Sequence, residues 1–237
     1  MGNASAKPGS GGPPAPRGLG AARDPFAAQP PAVVLFDLDQ TLVAALGGSV
    51  LAEPDTYTAH TVAPSFMVLR SPVEGAVAFA VRPRACATLR AAAEVASVGV
   101  WSRGTAPYVR LIAEAFVAPA VDGRLRDPDD AEPPRARPAR RRSLACVLDR
   151  SHCERALGEF GNHKDLRFAA AHLRLPVSSL FLVEDQPDNA PWTQSQRVVW
   201  VRPFNPPPAL PPDAAEAEAA EMEAVATMLR FATRALR

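Results

Sequence analysis

Hydrophobic residues fall along this chain in short blocks, separated by proline, glycine and charge. The runs AVVLFD (32–37), VGVW (98–101), LACVL (144–148), LFLVE (180–184) and VVWV (198–201) are continuous rather than alternating. Such runs suit strands buried on both faces of a parallel sheet. Between them lie segments of helical periodicity. Pro83 can open a helix running to about Val95, because its missing N–H costs nothing in a first turn. Thr105 is placed to cap APYVRLIAEAFV, and Asp165–Leu173 forms a further helix. Residues 44–82 read differently: TYTAHTV, SFMVLR and AVAFAV are strand-like pieces broken by Pro and Gly, which predicts a small antiparallel insert. Strands alternating with helices predict an α/β fold, a central parallel sheet with helices on both faces.

Residues 1–31 are Gly, Pro, Ala and Ser with scattered charge, and are expected to be disordered. Residues 32–237 are then one domain. Within it, residues 119–143 break the pattern with an acidic, proline-bearing stretch and then RARPARRRS, which predicts a flexible loop. Prolines between 206 and 212 form a stiff spacer. Asp213 with Glu216 resembles a capping box for a C-terminal helix over 213–236. Its apolar face, Met222, Val225, Leu229, Ala232 and Leu236, is expected to dock on the sheet.

The composition removes several classes of function. Net charge is +1 in 237 residues, so nothing in the balance asks for DNA or RNA. Three cysteines (Cys86, Cys146, Cys153) and no secretory signal pattern fit a reducing, intracellular compartment, cytoplasmic or nuclear. No apolar run reaches the roughly 18 residues of a membrane span. The opening MGNASAKP makes Gly2 a candidate for myristoylation. The pattern wants Ser or Thr at the sixth position, however, and here Ala6 stands there with Ser5 one place early. One acyl chain would give marginal membrane attachment, and a plain disordered start is the alternative. Oligomeric state is not encoded in any of these features.

The chemistry gathers at strand ends. In open parallel sheets ligands bind outside the carboxyl ends of the strands. Asp37, Ser102 and Glu184–Asp185 all stand there. Alternation sends Asp37 and Asp39 to the same side, and Thr41 follows. Up to four carboxylates would then share a small volume, and such a cluster needs cations. Oxygen ligands suit Mg²⁺, and Lys164 at the head of its helix adds one more positive charge. About one negative charge is left over, so the acid not pinned to a metal has a raised pKa. A protonated acid beside a carboxylate is a general acid beside a nucleophile. Asp37 would attack phosphorus and Asp39 would protonate the leaving oxygen.

These residues carry a resemblance. DLDQTLV resembles the signature of haloacid dehalogenase superfamily phosphotransferases. The segments VRPRACATLRAAAEVASVGVWSRGTAPYV, LDRSHCERALGEFGNHKDLRF and LFLVEDQPDNAPWTQSQRVVWVRPF follow in order. Together they resemble the NLI-interacting-factor-like, or RNA polymerase C-terminal-domain small, phosphatases over most of 32–204. The resemblance implies a HAD-like, Rossmannoid sheet without a large cap. It implies a Mg²⁺-dependent phosphomonoester hydrolase working through an aspartyl-phosphate, with a phosphoserine or phosphothreonine protein as substrate.

Residue roles follow from the same resemblance. Asp37 is the nucleophile, and Asp39 is the acid and then the base, its backbone carbonyl also on the metal. Asp185 is a further metal ligand. Thr41 orients the Asp39 region, Ser102 holds phosphoryl oxygens, and Arg103 is either solvated or meets substrate. Lys164 neutralises the transferring group and holds Glu184, a second-shell acid where the family has Asp. The 119–143 loop is longer than expected of the family. Two competitors remain: a small-molecule or nucleic-acid-end phosphatase of the same superfamily, and a non-catalytic binding module on the same scaffold.

Other residues read more plainly. His60, His152, His163 and His172 lack metal spacing and suit surface or packing roles. Cys153 reads as buried and inert. Trp101 and Trp200 read as core, and Trp192 as pocket rim. Arg140–Ser143 resembles a basophilic kinase site, with a solvated arginine run as the alternative.

Overall fold

The computed structural model describes residues 32–45, 66–71, 75–125, 127, 143–156, 164–206 and 211–235. The expectations for residues 1–31, Gly2, TYTAHTV, His60, His163, Leu236, most of 119–143 and the extent of the insert lie outside these residues.

At the centre of the sheet stands β1 (Val33–Phe36). It pairs in parallel with β5 (Ser97–Trp101) on one side and β7 (Leu180–Glu184) on the other. Outside these lie β6 (Val147–Leu148) and β8 (Val198–Trp200), completing the order β6-β5-β1-β7-β8. The chain builds outward from β1 to one edge, then returns to build the other. That reversal opens a crevice at the carboxyl ends of the central strands.

The apolar runs are continuous because both faces are covered. Val34, Phe36, Val98, Val100, Phe181 and Val183 enter one buried layer, and Val33, Leu35, Leu180 and Leu182 the other. The first layer is roofed by α1 (Ala85–Val95), α2 (Ala106–Ile112) and α6 (Pro212–Arg234). The second is roofed by α4 (Arg150–Arg155) and α5 (Leu166–Leu173). The insert is a three-stranded antiparallel sheet, order β2-β4-β3, formed by β2 (Val43–Ala45), β3 (Phe66–Ser71) and β4 (Gly75–Val81).

Several boundaries differ from the sequence reading. α1 starts at Ala85 because Arg84 is left-handed (φ 63°), so Pro83 stands before the helix rather than in its first turn. Its first amides are capped from a distance: buried Asp127 accepts from the N–H groups of Cys86 (3.1 Å) and Ala87 (2.7 Å). α2 runs on through a π-helical turn (Ala113–Val117) into α3 (Ala118–Val121), so helix persists past residue 119. α4 was not expected. Asp149 caps it by accepting from Ser151 N (3.0 Å), and His152 completes a capping box. Asp213 and Glu216 make no such box, because the helix begins at Pro212 with Pro211 in the cap position.

α6 packs chiefly against α1. Met222, Val225 and Leu229 are buried, and Thr88 Oγ1 donates to the Met222 carbonyl (2.9 Å). A second tie is ionic. Arg82, fully buried, donates from Nε to Glu218 (2.7 Å), from Nη2 to Glu221 (3.0 Å) and from Nη1 to the Thr41 carbonyl (3.2 Å). Its guanidinium also lies over the Phe204 ring, 5.7 Å from the centroid. Among the described residues no helix is long and apolar enough to cross a membrane.

Candidate active site

The three inner strands each end on a candidate site residue. Asp37 follows β1, and its N–H donates to Val183 O (3.0 Å), so strand pairing holds it beside β7. Ser102 follows β5, and its N–H donates to Leu148 O (2.9 Å). Glu184 ends β7, with Asp185 next. Lys164 stands just before α5, and its N–H donates to Asn189 O (2.8 Å). Residues 37, 102, 164, 184 and 185 are all buried.

Lys164 is the hinge of the cluster. Its Nζ donates to Asp37 Oδ1 and to Glu184 Oε2, both at 2.5 Å. The other oxygen of Glu184, Oε1, accepts from Asn189 Nδ2 (2.9 Å) and from Gln186 N (3.1 Å). Thr41 Oγ1 donates to Asp185 Oδ1 (3.1 Å), so its hydroxyl orients Asp185 rather than Asp39. Asp39 is held from another direction: the Tyr108 hydroxyl donates to Oδ1, and Ser102 Oγ stands 3.5 Å from Oδ2. Ser102 Oγ also accepts from Gly104 N (3.0 Å).

Burial sets the charge states. It drives the Asp37 carboxyl well above the ordinary carboxylate range, with Lys164 opposing and Glu184 adding to the rise. Burial likewise raises Asp39 against the pull of its Tyr108 hydrogen bond, and raises Asp185 with help from Glu184. Burial alone would lower Lys164, but Asp37 and Glu184 outweigh it and hold the ammonium above its usual value. Tyr108 is raised by burial and by Asp39, so it stays a donor. Burial pushes the Cys153 thiol up to about 11, and the thiol is inert as expected.

Asp37, Asp39, Ser102, Arg103 and Asp185 line one cavity of about 520 Å³. Arg150, Cys153 and Glu154 of α4 complete one wall, with Gln40, Gln186 and Asn189 elsewhere. Arg103 is exposed, with Nη1 3.4 Å from Asn189 Oδ1. Thr41, Lys164 and Glu184 stand behind the lining and hold the residues that form it.

Carboxylate oxygens of Asp37, Glu184 and Asp185 lie within 4.8 Å of one another. An all-oxygen, mostly anionic set of this kind fits a hard divalent cation such as Mg²⁺. Among the described residues Glu184 accepts three donors, two on Oε1 and Lys164 on Oε2, against two on Asp185 and one on Asp37, so Asp37 and Asp185 keep more open lone pairs for a cation.

Some expectations fail. Trp192 is 75% exposed and does not line the cavity. Trp200 is 38% exposed because β8 is an edge strand, whereas Trp101 is fully buried. His152 and His172 pack edge to face (centroids 5.7 Å) beside Phe168, a packing role. The three cysteines are free thiols. Sequence reasoning missed Tyr108, Arg150 and Asn189, and no spacing rule points to any of them.

Residues 32–123 match the sequence model of the NLI interacting factor-like phosphatase family, which bears out the resemblance over that stretch. A search of curated proteins finds no match. Solved structures similar to this chain include two of Fcp1. One is Fcp1, an essential RNA polymerase II CTD phosphatase: 15% identity, TM-score 0.45, covering 86% of this chain and 52% of that one. The other is a fission yeast RNA polymerase II CTD phosphatase Fcp1 variant bound to beryllium fluoride: 16% identity, TM-score 0.44, covering 84% and 51%. The chain thus spans about half the length of either structure. Likeness at this level says nothing of function.

Proposed function

From a chain whose residues 32–123 carry the NLI interacting factor-like phosphatase segment, we propose a Mg²⁺-dependent phosphomonoesterase that works through an aspartyl-phosphate on Asp37. The observation that carries this is the Lys164 bridge. A fully buried ammonium joins Asp37 to Glu184, with Asp185 alongside and Asp37 still facing the cavity.

The residues divide the work as follows. An Asp37 carboxylate oxygen attacks phosphorus and forms a new P–O bond. The ester P–O bond breaks, and Asp39, which lines the cavity with Asp37 and has no ammonium partner among the described residues, gives its proton to the leaving oxygen. The Asp39 carboxylate then takes a proton from water, whose oxygen attacks phosphorus. The aspartyl bond breaks, phosphate leaves, and both acids return to their starting states. Lys164 neutralises Asp37 and the transferring group. Ser102, at the end of β5, offers its hydroxyl to phosphoryl oxygens, and Arg103 on the cavity wall can meet the same charge. Asp37, Asp185 and the Asp39 carbonyl would hold Mg²⁺, which supplies charge neutralisation at the transferring phosphoryl group. Glu184, though longer than Asp, keeps the supporting role because Lys164, Gln186 and Asn189 engage both of its oxygens and hold it in place.

The substrate class proposed is a phosphoserine or phosphothreonine protein. The support for it is the resemblance of the segments from DLDQTLV to LFLVEDQPDNAPWTQSQRVVWVRPF to RNA polymerase C-terminal-domain phosphatases. The test is Mg²⁺-dependent phosphate release from an aryl phosphate with Asp37→Asn as control, followed by a panel of phosphopeptides, nucleotides and sugar phosphates. An inactive parent protein favours a binding module. Preference for nucleotides or sugar phosphates removes the phosphoprotein assignment.

A further inference from the structure

We propose that Tyr108 is the positioning residue of the proton donor: it fixes which oxygen of Asp39 faces the leaving group, and so adapts the site to esters of weakly acidic alcohols. This rests on the acid–base role of Asp39 given above.

Each acid of the cluster has its own orienting partner. Lys164 holds Asp37, and Thr41 and Gln186 hold Asp185 (3.1 and 3.2 Å). For Asp39 the close donor is the Tyr108 hydroxyl on Oδ1, while Ser102 stands at 3.5 Å from Oδ2. Asp39 lines the cavity and Tyr108 does not, so the phenol acts from behind the carboxyl. With Oδ1 engaged, Oδ2 is the oxygen left to carry the proton toward the substrate.

The backbone makes room for this contact. A Cβ at Gly104 would lie 2.6 Å from Tyr108 Cδ1 and 3.1 Å from Cε1. Glycine at 104 therefore lets the ring lie against the β5–α2 turn and reach across to the β1 loop. Two elements separated by 69 residues in sequence meet through this one hydroxyl.

The consequence is chemical selectivity. A serine alkoxide needs a proton as it leaves, whereas 4-nitrophenolate leaves without one. Loss of the phenol lets the Asp39 carboxyl rotate and lowers the fraction of time it aims its proton. That loss falls on alkyl esters. It appears in kcat/KM, which covers phosphoryl transfer to Asp37 and excludes the later attack of water.

The experiment uses the full-length protein with Mg²⁺, a phosphoserine peptide and 4-nitrophenyl phosphate. In Tyr108→Phe, the ratio of kcat/KM for the peptide to that for the aryl ester is expected to fall about tenfold, the order of one well-placed hydrogen bond to a charged group. KM for the aryl ester should stay within about twofold. Asp39→Asn should lower the same ratio further. Gly104→Ala, which displaces the ring without touching its hydroxyl, should move the ratio in the same direction, and a thermal midpoint of Tyr108→Phe equal to that of the parent excludes a folding defect in the first variant. Equal losses on both esters, or no loss on either, overturn the proposal alone. A parent protein inactive on both esters overturns it together with the reading on which it rests.

Discussion

Lys164 and Arg82 are both fully buried cations clasped between two acids. They end up in opposite situations. Arg82 spends its donors on Glu218, Glu221 and the Thr41 carbonyl, and its face on Phe204. A planar guanidinium suits such a saturated knot. Lys164 meets Asp37 and Glu184, with Asp185 close by and a cavity in front. Around Arg82 a second cation, Arg202, meets Glu221 (2.8 Å) and balances the two glutamates, whereas one ammonium faces Asp37, Glu184 and Asp185. Burial of an ion pair therefore does not mark a functional site. An unbalanced charge that faces an opening does.

The largest effect is expected from Asp37→Asn: at least about 10³-fold loss of phosphate release. Its thermal midpoint should be equal or higher, because a buried, repelled carboxyl is removed. A marked drop in midpoint would show that Asp37 is structural.

Second, Lys164→Met and Arg82→Met should separate activity from stability. Lys164→Met should abolish turnover. Arg82→Met should cost about 2–3 kcal/mol in denaturant unfolding, below the about 3–5 typical of a one-sided break, because Glu218 and Glu221 can turn to water. Its folded fraction should keep turnover within about tenfold. Similar kinetics in the two variants would erase the distinction.

Third, Mg²⁺ should raise the unfolding midpoint, by about 2.7 kcal/mol of stability at a hundredfold excess over Kd. Asp37 and Asp185 have raised pKa values in the fold, so the folded state binds more protons than the unfolded one above the ordinary carboxylate pKa. Metal-free stability therefore falls as pH rises through the raised values. The Mg²⁺ effect should be larger at pH 8 than at pH 5.5 and vanish in Asp185→Asn.

The smallest effect lies outside both clusters. Asp149 and Asp165 cap α4 and α5 and are held below the ordinary range; hydrogen bonds, led by Ser151 and Arg167 respectively, overcome burial. Their contribution is present above about pH 3.9 and is lost as pH falls through the lowered values. Asp165→Ala should cost about 1 kcal/mol and flatten that acid limb.

The acids of the site were legible because strand ends and period-two alternation are local properties, and Asp37, Asp39, Glu184 and Asp185 occupy them. The partners of those acids were not. The Tyr108 contact with Asp39 and the Arg82 contacts with Glu218 and Glu221 span 69 to 139 residues, and no spacing encodes them. Local rules also misled. Asp213–Glu216 looked like a cap, yet Pro212 could start the helix first. Trp200 looked like core, yet an edge strand leaves one flank uncovered. α4 escaped notice because six residues are too few for periodicity to show.

Gln40 sits left-handed (φ 63°) at the turn after the two aspartates. Its N–H reaches Val43 O and its carbonyl receives Phe204 N, each at 2.6 Å. The turn that follows Asp39 is thereby closed on itself and pinned by the chain just beyond β8. Its disorder is surrendered when the protein folds, before any ester arrives. Little ordering entropy is left to spend at the moment of reaction.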